Sequence, residues 1–390
     1  MPHVFFVTGA YFPEISAAAV QCRAVAAALD GRARFSVLTT AVDRSLPAAE
    51  RVEAVDVHRV PVDVRRARSK AFAAARLAAA VVAAGRTCDV VHVHGVSQKN
   101  VPVVLLARLL RKPIVLTLHT AGQDEPAIVR GRGRLAYWAL RSSDLILCVS
   151  PDLARKCREA GVPERRLRLT PNGVDVTRFR PADRDEKAAL KRALGWPVSQ
   201  PAVLFVGFFS RDKRPDLLYR AWQHVTNAGV RSTLVYVGAK GSGYYEIDAS
   251  LVSRIRQQST EAGRAGDVLA IEPTNEIEQC FRAADVYVLP SVREANPLAL
   301  LEAMAAGLPT IATRLPGATD VLIEDGANGR LVPPDDEAAL AEAMRDLLTC
   351  ESRAAALGAR ARQTATDRYD IRRTAEAWLA AYHTVLTGSS

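Results

Sequence analysis

Two glutamates, Glu294 and Glu302, are separated by seven intervening residues in the stretch AADVYVLPSVREANPLALLEAMAAGLPTIAT. A carboxylate offers two acceptor oxygens, and a neutral ligand that satisfies it well is a vicinal diol. Two such acids in one stretch therefore predict a sugar and a ribose. The local pattern says how they would be presented. Asp285 to Leu289 reads as a buried strand ended by Pro290 and Ser291. Asn296 has N-cap chemistry, Pro297 suits a first helical position, Gly307 suits the stop and Pro309 forbids continuation, which predicts a helix over 297–306. That helix is apolar nearly all round, yet Glu302 sits at its centre with no Lys or Arg three or four residues away. Its partner must come from elsewhere. Glu294 falls in the loop before the helix, where orphan N–H groups can receive anionic or hydroxyl oxygens.

Three further groups end predicted strands. Gly207 follows the strand Ala202 to Val206, and Lys213 stands just before the next helix. A Gly there permits a tight turn, and a Lys places a point charge near the start of the following helix. His92 and His94 occur in DVVHVHG and His119 in PIVLTLHT, with His92 and His94 on one face by strand alternation. No H-E-x-x-H or carboxylate-rich metal pattern accompanies them. The one D-x-D, Asp183 to Asp185, lies in a charged segment away from any strand end.

The elements that position these groups alternate. Residues 3–9, 34–40, 55–61, 89–93, 113–118 and 144–149 read as short apolar strands separated by Ala-rich helices, which predicts βαβ units on a parallel sheet. A second series runs through 202–206, 233–237, 268–271, 285–289 and 310–312. With 390 residues, two domains are the default. They are expected as an N-terminal domain over 1–172, a linker region over 173–201 and a C-terminal domain over 202–368. Two doubly wound domains facing a cleft would bind ligand beyond the carboxyl ends of their strands.

These stretches resemble the family 4 retaining glycosyltransferases of GT-B fold, with two Rossmann-like domains. E-A-N-P-L-A-L-L-E-A-M-A-A-G-L-P resembles the family's E-x7-E signature, PNGVDVTRF its inter-domain segment, and VLFVGFFSRDKRPDLL its diphosphate grip. The resemblance implies that Glu294 touches the donor sugar, Glu302 holds the ribose, and the N–H groups near Asn296, Pro297 and Leu298 orient the sugar. Gly207 and Lys213 would hold the diphosphate, Ile271 to Thr274 would border the base, and His119 would lie beside the donor sugar. Gln21, with Ala19 and His94, would belong to the acceptor side. A C-terminal helix, about 369–387, would close the first domain. The implied reaction moves a hexosyl unit from a UDP- or GDP-sugar to a hydroxyl, with the leaving diphosphate accepting the proton and no metal or other cofactor required.

The chain departs from that pattern in places. Phe208 replaces an Arg after Gly207, a lost charge-assisted bond worth on the order of 1.5–3 kcal/mol, so Arg211 or Arg214 substitutes or the donor is held differently. Ala18 and Ala19 stand where relatives carry two glycines, and Pro273 where they often have Gly. A sugar-nucleotide 2-epimerase and a glycan-binding pseudoenzyme are the competing readings. A dehydrogenase is disfavoured, because Gly238, Gly241 and Gly243 lack the G-x-G-x-x-G spacing.

Charge and composition bound the partners. Residues 1–180 carry 28 Lys and Arg against 15 Asp and Glu and the remainder 24 against 27, so the first half supplies the whole net charge of +10. Its clusters, Arg65-Arg66-Arg68-Lys70, Arg108-Arg111-Lys112 and Arg130-Arg132-Arg134, predict peripheral contact with an anionic membrane and a lipid-linked or surface-glycan acceptor. No nucleic-acid module is present. The start, MPHVFFVTGAYFP, reads as a strand rather than a signal peptide, and six scattered cysteines without C-x-x-C fit a reducing cytoplasm.

Overall fold

In the computed structural model, all residues are described except 54, 64, 239–247, 273, 389 and 390. Gly241, Gly243 and Pro273 lie outside the described residues. The chain divides into two compact units, Met1–Gly173 with Ile371–Ser390, and Val174–Asp370.

The first unit holds eight strands: β1 (His3–Thr8), β2 (Arg34–Ala41), β3 (Ala49–Val52), β4 (Val55–Pro61), β5 (Val90–His94), β6 (Ile114–Leu118), β7 (Leu145–Cys148) and β8 (Leu167–Leu169). They are ordered β3-β4-β2-β1-β5-β6-β7-β8, all pairs parallel except β3 with β4. The central strands are continuous apolar runs because helices cover both faces. The exposed β3 (AERV) and the three-residue β8 escape a hydropathy reading, being too short and too polar for one. The helix Ile371–Thr387 belongs to this unit, burying Trp378, Leu379 and Tyr382 in a core shared with the helix Ala17–Ala28.

The second unit holds β9 (Ala202–Val206), β10 (Thr233–Val237), β11 (Val268–Ile271), β12 (Val286–Leu289), β13 (Thr310–Thr313) and β14 (Arg330–Val332), ordered β11-β10-β9-β12-β13-β14 and all parallel. Strand alternation sorts their side chains into two layers. Leu204 and Tyr287 enter one core, while Val203, Phe205, Val286 and Val288 enter the other with Trp222. The segment expected to link the domains is packed here: Val174, Val176, Phe179 and Trp196 are core residues, and Arg184–Ala193 is a helix. Asp183 caps that helix by accepting from Glu186 N, which accounts for the D-x-D structurally.

In both sheets the strand order reverses once, between β1 and β5 and between β9 and β12. Helices leave in opposite directions at such a point, and the crevice opens beyond the strands' carboxyl ends.

The helix carrying Glu302 runs Leu298–Ala305, shorter than expected. Asn296 is not its cap. Pro297 takes that position with ψ 115°, and no side chain caps the helix. Because proline has no N–H, the helix's first free donors are at Leu298, Ala299 and Leu300. Its far end is set by glycines: a Cβ on Gly358, in the helix Glu351–Arg368, would come within 2.2 Å of Gly307 O. Gly358→Ala should therefore lower the unfolding free energy of the second unit by roughly 1–3 kcal/mol, read as a lower urea midpoint for that transition.

Candidate active site

In the second unit, the loops after β9 and β12 flank the reversal. Gly207 N donates to Val237 O at 2.9 Å and Gly238 N to Ile271 O at 3.2 Å, stepping the backbone across three strand ends. A Cβ on Gly238 would fall 1.9 Å from Gly207 O, so only glycine fits there. Phe209 is buried against Phe205 and Tyr236 and anchors the loop from below. The short turn Arg211–Lys213 is then tied to the β12 loop three times. Val292 N donates to Asp212 O at 2.8 Å, Arg293 pairs with Asp212, and Lys213 Nζ meets Glu294 Oε1 at 2.6 Å. The Glu294 side chain is 8% exposed and that of Lys213 27% exposed, so this pair is largely shielded from water. Lys213 and Glu294, far apart in sequence, form one charged unit.

The two arginines expected to compensate for Phe208 differ. Arg214 adopts a left-handed backbone (φ 49°) and pairs with Asp335 at 2.8 Å. Arg211 is 89% exposed and only 3.9 Å from Asp248, free to reorient.

Glu302 is surrounded by protein while keeping part of its surface accessible, and it has no hydrogen-bond partner among the described residues. Burial pushes its carboxyl up to about 7, opposed weakly by Arg178 and reinforced by Glu278. Arg178 is itself committed to Glu278, at 2.6 and 3.0 Å. Beside the acids lie two groups that sequence reasoning missed. The Tyr287 hydroxyl and Ser291 Oγ are buried with no partner among the described residues. The phenol is held far above its ordinary titration range by burial, with the charges of Glu294 and Glu302 adding to it. A Tyr in an apolar strand reads as core; only its alternation toward the acids' side hints otherwise.

In the first unit, the histidines form a buried stack. His94 Nδ1 lies 2.9 Å from His119 Nε2, and His94 Nε2 lies 3.2 Å from Cys22 Sγ. His92 bonds the Tyr382 hydroxyl at 2.8 Å and Thr117 Oγ1 at 2.7 Å, so both its nitrogens are used structurally. Burial holds all three neutral, with His119 lowered to about 4. His119 Nδ1 is buried without a partner among the described residues. Asp124, which the sequence did not single out, organises this end of the sheet. It accepts from Val96 N at 2.8 Å and from His119 N and Thr120 N at 2.8 and 2.9 Å, tying the loops after β5 and β6 together.

Two expected acceptor-side residues turn inward. Gln21 is 1% exposed and closes a two-bond ring with Gly173, at 2.7 and 2.9 Å, which engages both its amide nitrogen and its oxygen. Ala19 is fully buried, and its N–H donates to Ser16 Oγ at 3.1 Å. His94 is likewise enclosed within the histidine stack.

The sequence of both units matches known families: the model described as Glycosyltransferase Family 4 covers residues 18–178, and that described as Glycosyl transferases group 1 covers 186–364. A D-inositol 3-phosphate glycosyltransferase of Acidothermus cellulolyticus is 31% identical over 80% of this chain and 73% of its own length. The chain belongs to glycosyltransferase family 4. A second relative, D-inositol 3-phosphate glycosyltransferase 1 of Catenulispora acidiphila, is 29% identical over 89% of this chain and 85% of its own length. The fold is the GT-B fold of solved glycosyltransferases. The Anabaena Alr3699/HepE structure in complex with UDP-glucose superposes with a TM-score of 0.78 at 19% identity, covering 98% of this chain and 100% of its own. Sucrose-phosphate synthase of Thermosynechococcus elongatus gives 0.79 at 20% identity, covering both chains fully. This family 4 protein is an enzyme, a glycosyltransferase.

The raised Glu302 carboxyl has a thermodynamic consequence. An acid whose folded pKa lies above its ordinary 4.5 favours folding below that value and loses the contribution as pH rises through about 7. At pH 8 the buried charge should cost the second unit on the order of 3 kcal/mol. Glu302→Gln should thus raise the urea midpoint at pH 8 and change it little at pH 4; equal shifts at both would show that Glu302 is not strained by burial.

Proposed function

We propose that this glycosyltransferase moves a hexosyl unit from a UDP- or GDP-sugar to a hydroxyl acceptor with retention of configuration. The observation that carries the reading is the shielded Lys213–Glu294 pair beyond the reversal between β9 and β12. In the free protein each charge satisfies the other. A nucleotide-diphosphate sugar offers both a better partner: phosphate oxygens for the ammonium, sugar hydroxyls for the carboxylate.

On this reading the N–H groups of Leu298 and Ala299 meet phosphate or sugar oxygens, Glu302 accepts from the ribose diol, and Ile271 borders the base. The acceptor oxygen bonds to the anomeric carbon as the bond from that carbon to the diphosphate oxygen breaks. The acceptor's proton passes to the departing diphosphate. Charge develops on the leaving phosphate, and Lys213 is the group that stabilises it. The positive charge comes from protein side chains and the helix start, so no metal is invoked. His119, with one neutral ring nitrogen unpartnered, is read as a group that orients a bound sugar.

Lys213→Ala should lower kcat by roughly 100-fold or more while leaving acceptor KM within about threefold. Unchanged kcat would remove Lys213 from the reaction. Glu302→Gln should weaken calorimetric binding of the free nucleoside diphosphate about tenfold, and undiminished affinity would remove the ribose role.

The acceptor has two readings. The names of the relatives favour a small phosphorylated cyclitol. A lipid-linked or surface-glycan acceptor, met by a cytoplasmic enzyme at an anionic membrane, is favoured by one surface of the first unit. There Leu109 and Leu135 are each 70% exposed and Trp138 40% exposed, beside a cavity of about 540 Å³ lined by Arg108, Arg141, Arg165 and Arg166. Among the described residues no helix is long and apolar enough to cross a membrane, so such contact would be peripheral. It should appear as co-sedimentation with phosphatidylglycerol vesicles at low salt that fades at high salt; protein left in the supernatant at low salt rejects it.

A further inference from the structure

At the reversal between β1 and β5, the first unit holds a cation that makes no ion pair within 4 Å among the described residues. Lys99, in the loop after β5, donates to Thr40 Oγ1 at 2.9 Å, and Thr40 passes its own proton to Gly9 O at 2.6 Å. Those are the ends of β2 and β1. The ammonium makes no ion pair among the described residues, and its remaining two N–H directions have no acceptor among them. It is largely withdrawn from water, although the residue keeps an accessible surface. Glu14, the charged group that faces it, has one carboxylate oxygen already accepting from Val42 N and Asp43 N, each at 2.8 Å.

The surroundings are rigid and open in the right place. The loop is fixed by Val96 N donating to Asp124, Arg132 donating to Val96 O at 2.7 Å and Asn100 donating to Gly95 O at 3.1 Å. Ser97 Oγ, in the same loop, is buried with no partner among the described residues. A Cβ placed on Gly9 would meet nothing within 4 Å except Lys99 Nζ, at 3.6 Å. There is room beside the ammonium.

A desolvated cation with spare donors is costly unless an anion completes it. We propose that the ends of β1 and β2 and the loop after β5 form an anion site in which Lys99 holds a phosphomonoester of the acceptor. The inference rests on the transferase reading, and it adds to it the chemical class of the acceptor and the residue that selects it. A lysine serves here as a point charge, suited to a phosphate approached from one side. The basic clusters Arg65 to Lys70 and Arg130 to Arg134 would then steer the ligand without contacting it.

Burial lowers Lys99 to about 8, against a weaker opposing effect of Glu14. The ammonium therefore persists below that pH and is lost above it, and phosphate affinity should fall as pH rises from 7.5 to 9.5, where the phosphomonoester itself stays dianionic.

The test is calorimetry on the full chain, without donor, using D-inositol 3-phosphate, neutral myo-inositol, and phosphatidylcholine vesicles with and without phosphatidic acid. Parent protein should bind a phosphomonoester and not myo-inositol. Lys99→Met should weaken binding at least tenfold and abolish its pH dependence, and Gly9→Val, which keeps the charge but fills the space, should weaken it comparably. Binding of the soluble ligand alone assigns a free acceptor, and of the phosphatidic acid vesicles alone a lipid one; either supports the site if both variants lose it. Binding that is equal in parent and variants, or absent for both probes, overturns it. UDP and GDP titrations on the same preparations separate the two readings, since a parent that binds nucleotide but no phosphomonoester retains the transferase function and loses only this site.

Discussion

The reversal of strand order in each parallel sheet is the constraint on which the rest depends. Between β9 and β12 no helix crosses the strands' carboxyl ends, so the loops leaving them must satisfy each other. They do so through Asp212 and the Lys213–Glu294 pair. Gly238 lets the loop after β10 approach the loop after β9 to a distance no side chain would allow. The same reversal between β1 and β5 leaves Lys99, Ser97 and His119 with unused hydrogen-bonding capacity. Topology places the crevices, and polar side chains with unfilled valence mark them.

Those unfilled groups are destabilising in the free protein. Glu302 is a carboxyl raised by burial, Lys99 an ammonium lowered by it, and Tyr287 a hydroxyl without a partner. Each would be cheaper to replace with an apolar side chain. By contrast, three polar side chains are engaged by the fold itself: Gln21 with Gly173, Asp124 with three amides, Asp285 between Lys187 and Lys191 at 2.8 and 2.7 Å. That engagement separates Gln21 from Lys99, whose ammonium has one hydrogen bond, to Thr40, among the described residues.

Much of the architecture was legible in the sequence because both sheets are parallel and buried. Continuous apolar runs marked 202–206, 233–237 and 268–271 with the bounds observed, while β3, β8 and β14 were too short or too polar to register. Glu302 stood out as a charge in an apolar helix, and Lys213 and Glu294 through their places beside strand ends. Their pairing was not readable, since it depends on two loops meeting across a strand order that one-dimensional pattern does not encode. The burial of Gln21 was unreadable for the same reason, since it depends on the chain's return at Gly173. Lys99 hid in a polar loop, where nothing local reveals that Thr40 and Gly9 enclose it.

The departures from the family pattern now have a physical reading. The helix Ala17–Ala28 caps itself, with Ser16 taking the Ala19 N–H, and Ala19 is core. An N-terminus already capped by its own serine offers less to a diphosphate than one left bare. Phe208 removes a second cation from the proposed donor side. On the proposed reading, the leaving phosphates then depend on Lys213 and the uncapped start of the helix Leu298–Ala305, with the exposed Arg211 within the same turn. On that reading, the absence of the glycines and the arginine would concentrate the electrostatic work on one lysine, the one that is paired with Glu294 in this structure.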